Sequence, residues 1–387
     1  EILDGFGNLK KGNSFICGEL PHYVRAQEVR FVRDAEKKWI PEHPLESELP
    51  PLHGGVAISS FGGTAPDGTP EIRVRLHNPG RKTASGKIAP VFMNSAPADW
   101  KFLPAECSYD VKAGETRVLR FRPYGKDFSP DKPDETKGYT ALWWCEGYRI
   151  ALRQRVGSEE NFLPQRRLFS LRGIPYLPGC RVDGDGREWK NVPVFRTGGS
   201  KKRNLALAGF WGGSGDYDAN FQLAWCREGL LLFAEVTDDC HDASQTGLHA
   251  WRTDSVQLGV TGKYEDPGLT DYPVLTLATS GVVLQRALPG RKAGAAAEVK
   301  LVTKRVEASY QTPGKTFYEC RIPWSLIPGI EQAEAGRTLG FQILFNESDG
   351  YWRKGWIGWF SPMGGHVVDS RTFGDITLIS KDASVDP

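Results

Sequence analysis

Methionine occurs only twice in 387 residues, and seven cysteines include no Cys-x-x-Cys pair. Without closely spaced thiols there is no zinc framework, and an odd count (Cys17, Cys107, Cys145, Cys180, Cys226, Cys240, Cys320) fits no fully paired disulfide scaffold. Buried thiols are the simplest expectation. No apolar run approaches the ~20 residues that a membrane span requires. Charge of one sign is missing too: 49 Lys plus Arg against 47 Asp plus Glu leave +2. Such a balance excludes a field strong enough to concentrate nucleic acid or anionic lipid. Gly212-Gly213-Ser214-Gly215-Asp216 is glycine-rich but leads into no Lys-Ser/Thr, so it makes no phosphate cradle. There is no Gly-x-Ser-x-Gly elbow, no His-Glu-x-x-His and no dinucleotide fingerprint.

What the chain does have is glycine (44), proline (26) and tryptophan (12). Many turns, short alternating runs and plentiful aromatics predict an all-β protein. Its length favours two domains over one core. It begins at Glu1 with neither Met nor an apolar leader, and the expectation is a secreted chain of bacterial type whose signal peptide has been removed.

The first ~50 residues read as an irregular lead-in with one strand near Glu28-Val29-Arg30-Phe31-Val32. Beyond Gly55 the alternation sharpens in Val56-Ala57-Ile58-Ser59, Glu71-Ile72-Arg73-Val74-Arg75-Leu76 and Arg117-Val118-Leu119-Arg120-Phe121-Arg122. Trp143 and Trp144, adjacent on a predicted strand, must face opposite ways, so one could offer a second ligand platform. The expected boundaries are an N-terminal β-sandwich over 1–160, a proline- and charge-rich linker over 161–179, and a second β-sandwich over 180–381. Residues 54–156 loosely resemble immunoglobulin-like sandwiches appended to bacterial extracellular enzymes.

The C-terminal half carries six ordered markers. They are Asp183-Gly184 followed by Glu188-Trp189, the run 230–239 (LLLFAEVTDD), 251–259 (WRTDSVQLG), 319–324 (ECRIPW), 339–349 (LGFQILFNESD) and 373–378 (FGDITL). In that order they resemble the family 9 carbohydrate-binding module of bacterial xylanases, a DOMON-like sandwich of jelly-roll type. Trp189, Trp324, Phe341 and Phe373 are expected in its core.

The resemblance implies an aromatic clamp on the end of a sugar chain, formed here by Trp251 and Trp359. An indole covers the apolar face of a pyranose and leaves the hydroxyls free. Burying on the order of 100–150 Å2 at ~25 cal/mol per Å2 gives roughly 3 kcal/mol before ordering costs, so weak binding is expected. The family's acid after the serine is replaced by Gln257, and its arginine on the following strand has no counterpart in residues 272–277. Asn346, Glu347 and Arg353, with His366 nearby, are the candidate polar substitutes. The resemblance also implies structural calcium, for which Asp183, Asp238 and Asp254 are the candidate ligands; Asp238-Asp239-Cys240-His241-Asp242 supplies hard oxygens at a strand end. Zinc on His241 and His249 lacks any thiolate spacing.

The implied ligand is a polysaccharide or oligosaccharide, and the implied partner is a secreted glycoside hydrolase, attached or separate. Other readings stay open. A DOMON-type haem domain would use Met93 or Met363 with His366. A glycan-active enzyme would use Glu347 and Asp349 as its carboxylates. A structural or accessory domain would bind no sugar. Asn346-Glu347-Ser348 also fits a glycosylation acceptor.

Overall fold

The computed structural model describes residues 52–65, 69–92, 99–125, 150–164, 173–196, 212–262, 272–286, 293–310, 312–350, 352–359 and 373–382, with the backbone of four short strands before them. Trp143, Trp144, Met93, Met363 and His366 lie outside these residues. The chain divides into two compact units, 1–51 and 52–387. In the first, β1 (Ile2–Leu3) pairs with β2 (Leu9–Lys10), and β3 (Phe31–Arg33) pairs with β4 (Trp39–Pro41).

The second unit starts with two facing sheets. One is β5 (Leu52–His53), β6 (Val56–Thr64), β7 (Pro70–His77), β11 (Thr116–Tyr124) and β9 (Lys101–Leu103), in that spatial order. The other runs β10 (Cys107–Val111), β8 (Ala84–Phe92), β12 (Ile150–Val156) and β13 (Glu159–Pro164). Ile72, Val74 and Leu76 of β7 and Phe121 of β11 meet Tyr109, Ile150 and Leu152 from the opposite sheet in one core. The alternation of Arg73 and Arg75 with those apolar residues sets which side of β7 faces inward.

The C-terminal half is one continuous hydrogen-bonded path. It runs β20 (Gly281–Arg286), β19 (Val274–Ala278), β18 (Ser255–Thr261), β23 (Thr338–Glu347), β25 (Gly374–Asp382) and β14 (Gly173–Tyr176). From there it passes through β16 (Tyr217–Trp225), β17 (Gly229–Asp238), β22 (Gly314–Pro323) and β21 (Lys300–Val306). β15 (Val194–Arg196) adds to β16, and β24 (Gly355–Trp359) adds to β23. The path folds over so that Phe221, Leu232 and Tyr318 from one end share a core with Val256, Phe345 and Ile357 from the other. The result is the expected all-β sandwich architecture.

Part of the segment expected as a linker is sheet. β14 lies between β25 and β16, parallel to both, and its pairing skips Pro175, which has no N–H to give. Ile174 is fully buried, and that single apolar anchor outweighs the proline-rich composition around it.

The two sandwiches touch. Phe61 of β6 joins Tyr272, Val274, Leu344, Trp356 and Phe373 in one apolar cluster. The Gly62 N–H donates to the Asp375 carboxylate. The Arg73 guanidinium, itself paired with Glu71, donates to the Gly336 carbonyl at 3.0 Å and to Thr338 Oγ1 at 3.1 Å.

Trp189, Trp324 and Phe341 are buried as expected, and Phe373 is buried in the contact between the sandwiches. Trp189 donates its indole N–H to Glu319 (2.7 Å), which also accepts the backbone N–H of Asp183 (3.0 Å) and Gly184 (2.6 Å). Gly184 sits at φ 77°, which a side chain would strain, so the Asp183-Gly184 turn wraps one buried carboxylate. The five described cysteines are free thiols.

Candidate functional site

Cross-strand partners share a face of a sheet, and neighbours along a strand do not. β18 and β23 pair Ser255 with Asn346, Gln257 with Leu344, and Gly259 with Gln342. Thr276 of β19 lies opposite Gln257, and Trp356 of β24 lies opposite Asn346. Gln257, Thr276, Gln342, Asn346 and Trp356 therefore lie on one face. The intervening residues Val256, Leu258, Phe345, Ile357 and Trp359 point the other way, into the core.

That parity corrects the clamp. Trp359 is 0% exposed and packs edge-on to Phe195 and Phe221, with ring centroids at 5.0 and 5.5 Å. It is opposite Ile343 and cannot reach a ligand. Glu347 is corrected on the same ground. It follows Asn346 directly, so it turns away, and its Oε1 lies 3.0 Å from the Lys354 ammonium. The same ammonium meets Asp216 at 2.9 Å and Asp349 at 3.0 Å. Burial lifts the Glu347 carboxyl to about 7, against the pull of Lys354. The pair suggested for hydrolysis, Glu347 and Asp349, is thus tied to one lysine away from the face just described.

Trp251 holds its expected place. It sits on a short 3-10 turn, Gly247–Arg252, directly before β18, and is half-buried. Gln285 of β20 ties that turn by donating to the Leu248 carbonyl (3.2 Å), and Ala250 is fully buried beneath it. Arg353 stands between two rings, 5.5 Å from the centroid of Trp251 and 5.9 Å from that of Trp356. Arg252 lies 5.4 Å from Trp251 and 5.1 Å from Trp352, which is 67% exposed. Rings and guanidiniums therefore alternate: Trp352, Arg252, Trp251, Arg353, Trp356. Burial pulls the Arg353 guanidinium down to about 10, so it stays cationic at neutral pH.

The polar partners sit beside this row. Asn346 donates to Ser255 Oγ (3.0 Å) and to Gln257 Oε1 (3.2 Å), while its own Oδ1 has no partner. Thr276 Oγ1, also buried, has none either. Of the expected site residues, Trp251, Gln257, Asn346 and Arg353 converge, whereas Trp359 and Glu347 do not join them. Trp352, Trp356, Arg252 and Thr276 were not anticipated. For Trp356 the signal was available: counting from Asn346 through the β23–β24 turn gives its parity.

The acidic cluster splits as well. Asp238 and Asp254 meet around His241, whose Nδ1 is 3.6 Å from Asp238 Oδ2 and 3.2 Å from Asp254 Oδ2. Asp183 is not with them; it lies at the Glu319 turn, and Glu319 pairs with Phe233, well back along β17 from Asp238. Burial disfavours charge on His241, but the two carboxylates outweigh it and lift the imidazole to about 9. His249, by contrast, is exposed and apart from this group.

As a cation site the cluster fits in part. Asp238 Oδ2 is buried without a hydrogen bond, and two buried carboxylates demand positive charge. Asp254 also staples the loops: Oδ2 accepts the Asp242 N–H (2.6 Å) and Oδ1 the Ser348 N–H (2.9 Å). Asp242 in turn accepts the Ser348 hydroxyl at 2.8 Å.

The family model described as "Carbohydrate family 9 binding domain-like" matches residues 199–381. Residues 199–381 are similar to family 9 carbohydrate-binding modules. A module of this family from Caldicellulosiruptor kristjanssonii, solved in complex with glucose, is 17% identical, with a TM-score of 0.41 over 57% of this chain and 100% of that one. A second structure from the same organism, in complex with cellotriose, is 19% identical, with a TM-score of 0.40 over 57% and 98%. A putative carbohydrate-binding protein from Bacteroides uniformis is 13% identical, with a TM-score of 0.37 over 55% and 98%. No curated protein matches the chain. The family match supports carbohydrate binding as the activity of the C-terminal half.

Proposed function

We propose that the chain binds an oligosaccharide or polysaccharide end at the face holding Trp251, Gln257, Asn346 and Arg353, and that it catalyses nothing there. The observation that carries this reading is Trp251 itself, a half-buried indole with the half-buried guanidinium of Arg353 5.5 Å from its ring centroid. A sugar ring needs this combination: a flat apolar surface for its C–H face and fixed donors and acceptors for its hydroxyls. Trp352 takes the place given to Trp359 as the second accessible ring. The experiment is a screen of soluble and insoluble polysaccharides by affinity gel and calorimetry. Retention by at least one glycan, weakened about tenfold or more in Trp251→Ala, is the expected result. Equal retention of the wild type and Trp251→Ala would sink it.

A role beside a secreted glycoside hydrolase belongs to the same proposal, and what supports it is the family match. For the acidic cluster the proposal is a structural cation, with calcium at Asp238 and Asp254 and with Asp183 left out. The unpartnered Asp238 Oδ2 supports it. Protonated His241 supplies the positive charge when the metal is removed. Adding a chelator is expected to lower the melting temperature; an unchanged value would leave His241 as the only cation.

A further inference from the structure

Arginines in a folded protein normally spend their donors on carboxylates or carbonyls, and those left without partners mark a site waiting for an anion. Arg252 and Arg353 are two such residues. Among the described residues neither makes an ion pair or a hydrogen bond. Both lie near indole rings, Trp251 and Trp352 for one and Trp251 and Trp356 for the other. Arg252 Nε is buried with no acceptor.

Among the described residues, the acids nearest to the pair in sequence are committed elsewhere. Asp349 and Glu347 are held by Lys354. Asp254 holds backbone N–H groups and faces His241. On β18, the strand that follows Arg252, the chain carries the neutral amide of Gln257, whose Oε1 is already taken by Asn346. Among the described residues, this row of rings therefore carries two positive charges with no acid paired to them.

Resting on the binding reading above, we infer that the ligand is an acidic sugar, with a carboxylate of a uronic acid residue received by Arg353 and Arg252 while its ring lies on Trp251. A planar guanidinium offers two parallel N–H groups that match a carboxylate, and the flanking indoles strip water from the pair and strengthen it. A neutral sugar hydroxyl would leave both cations without a counter-charge in a partly desolvated site, which is costly.

The test uses the full chain and calorimetry on pairs of oligosaccharides that differ only at the carboxyl: oligogalacturonate and glucuronate-substituted xylo-oligosaccharide, each with its methyl ester. Neutral cello- and xylo-oligosaccharides and a sulfated galactan complete the set. A uronate is expected to bind at least about tenfold more tightly than its ester and to weaken as salt rises. Arg353→Gln and Arg252→Gln should each abolish that preference. Should Arg353→Gln fail to fold, Arg252→Gln and the acid-against-ester comparison on the wild type still decide the matter. Equal affinity for acid and ester, or Trp251-dependent binding of neutral sugars alone, overturns the acidic class and leaves the sugar site standing. Binding of the sulfated galactan alone overturns the carboxylate. If no oligosaccharide of any kind binds, the sugar site falls with it.

Discussion

Trp356 and Trp359 lie on the same short strand and end on opposite faces of the sheet. Trp359 fills the core among Phe195, Phe221 and Phe341, so its truncation removes packing and leaves a cavity. Trp359→Ala is expected to cost about 3–5 kcal/mol of stability, read by chemical denaturation. A loss under about 1 kcal/mol would contradict its core placement. His241 makes a second prediction at this scale. Its folded-state pKa is raised from 6.5 to about 9, so its contribution is fully present below pH 6.5 and is lost as pH rises through about 9. In chelator-treated protein the melting temperature should fall across that window, and the fall should be smaller in His241→Gln. Identical pH profiles would show that the imidazole does not neutralise Asp238 and Asp254.

At the scale of elements, the turn carrying Trp251 has its own hydrogen bonds, His249 N–H to the Thr246 carbonyl and Thr253 N–H to the Ala250 carbonyl, and a carboxylate just after it ties the neighbouring loops. Asp254 joins the N–H of Asp242 to that of Ser348, across the end of β23. Asp254→Ala leaves those N–H groups without acceptors, and it should raise amide exchange in residues 240–253 while weakening sugar binding with it. Unchanged exchange there would mean the turn is positioned by other contacts.

Much of this level was legible in the sequence. The alternation in residues 71–76 and 339–347 sets which side chains enter each core, and Trp251 before a strand was readable as a ring at a sheet entrance. What the clamp expectation left unused was parity across a turn. Trp356 and Trp359 are equally plausible from composition, and the pairing of Asn346 with Trp356 separates them. Arg353 was nameable as a polar substitute, but its place between two indoles depends on a loop meeting a distant turn. Nor did composition reveal β14, whose proline is tolerated because the ladder skips it.

For the molecule as a whole, the two sandwiches belong to one compact unit joined by Phe61, Arg73 and Asp375. The apolar cluster around Phe61 includes Leu344 and Trp356, so the contact between the sandwiches lies on the same sheet face as Gln257 and Asn346 and borders the Trp251 row. Calorimetric unfolding is expected to show these two sandwiches melting together, and Phe61→Ala should separate their transitions and lower the first. Two well-separated transitions in the wild type would mean the contact contributes little.

The central claim is that a sugar meets Trp251 at a face from which Trp359 is excluded. Indole N–H resonances of the 12 tryptophans, assigned by substitution and followed by NMR during titration with the glycan found in the binding screen, test it most directly. The account predicts a saturating shift for Trp251 and for Trp352, with Trp359 unmoved. A shift at Trp359 with Trp251 silent would contradict it.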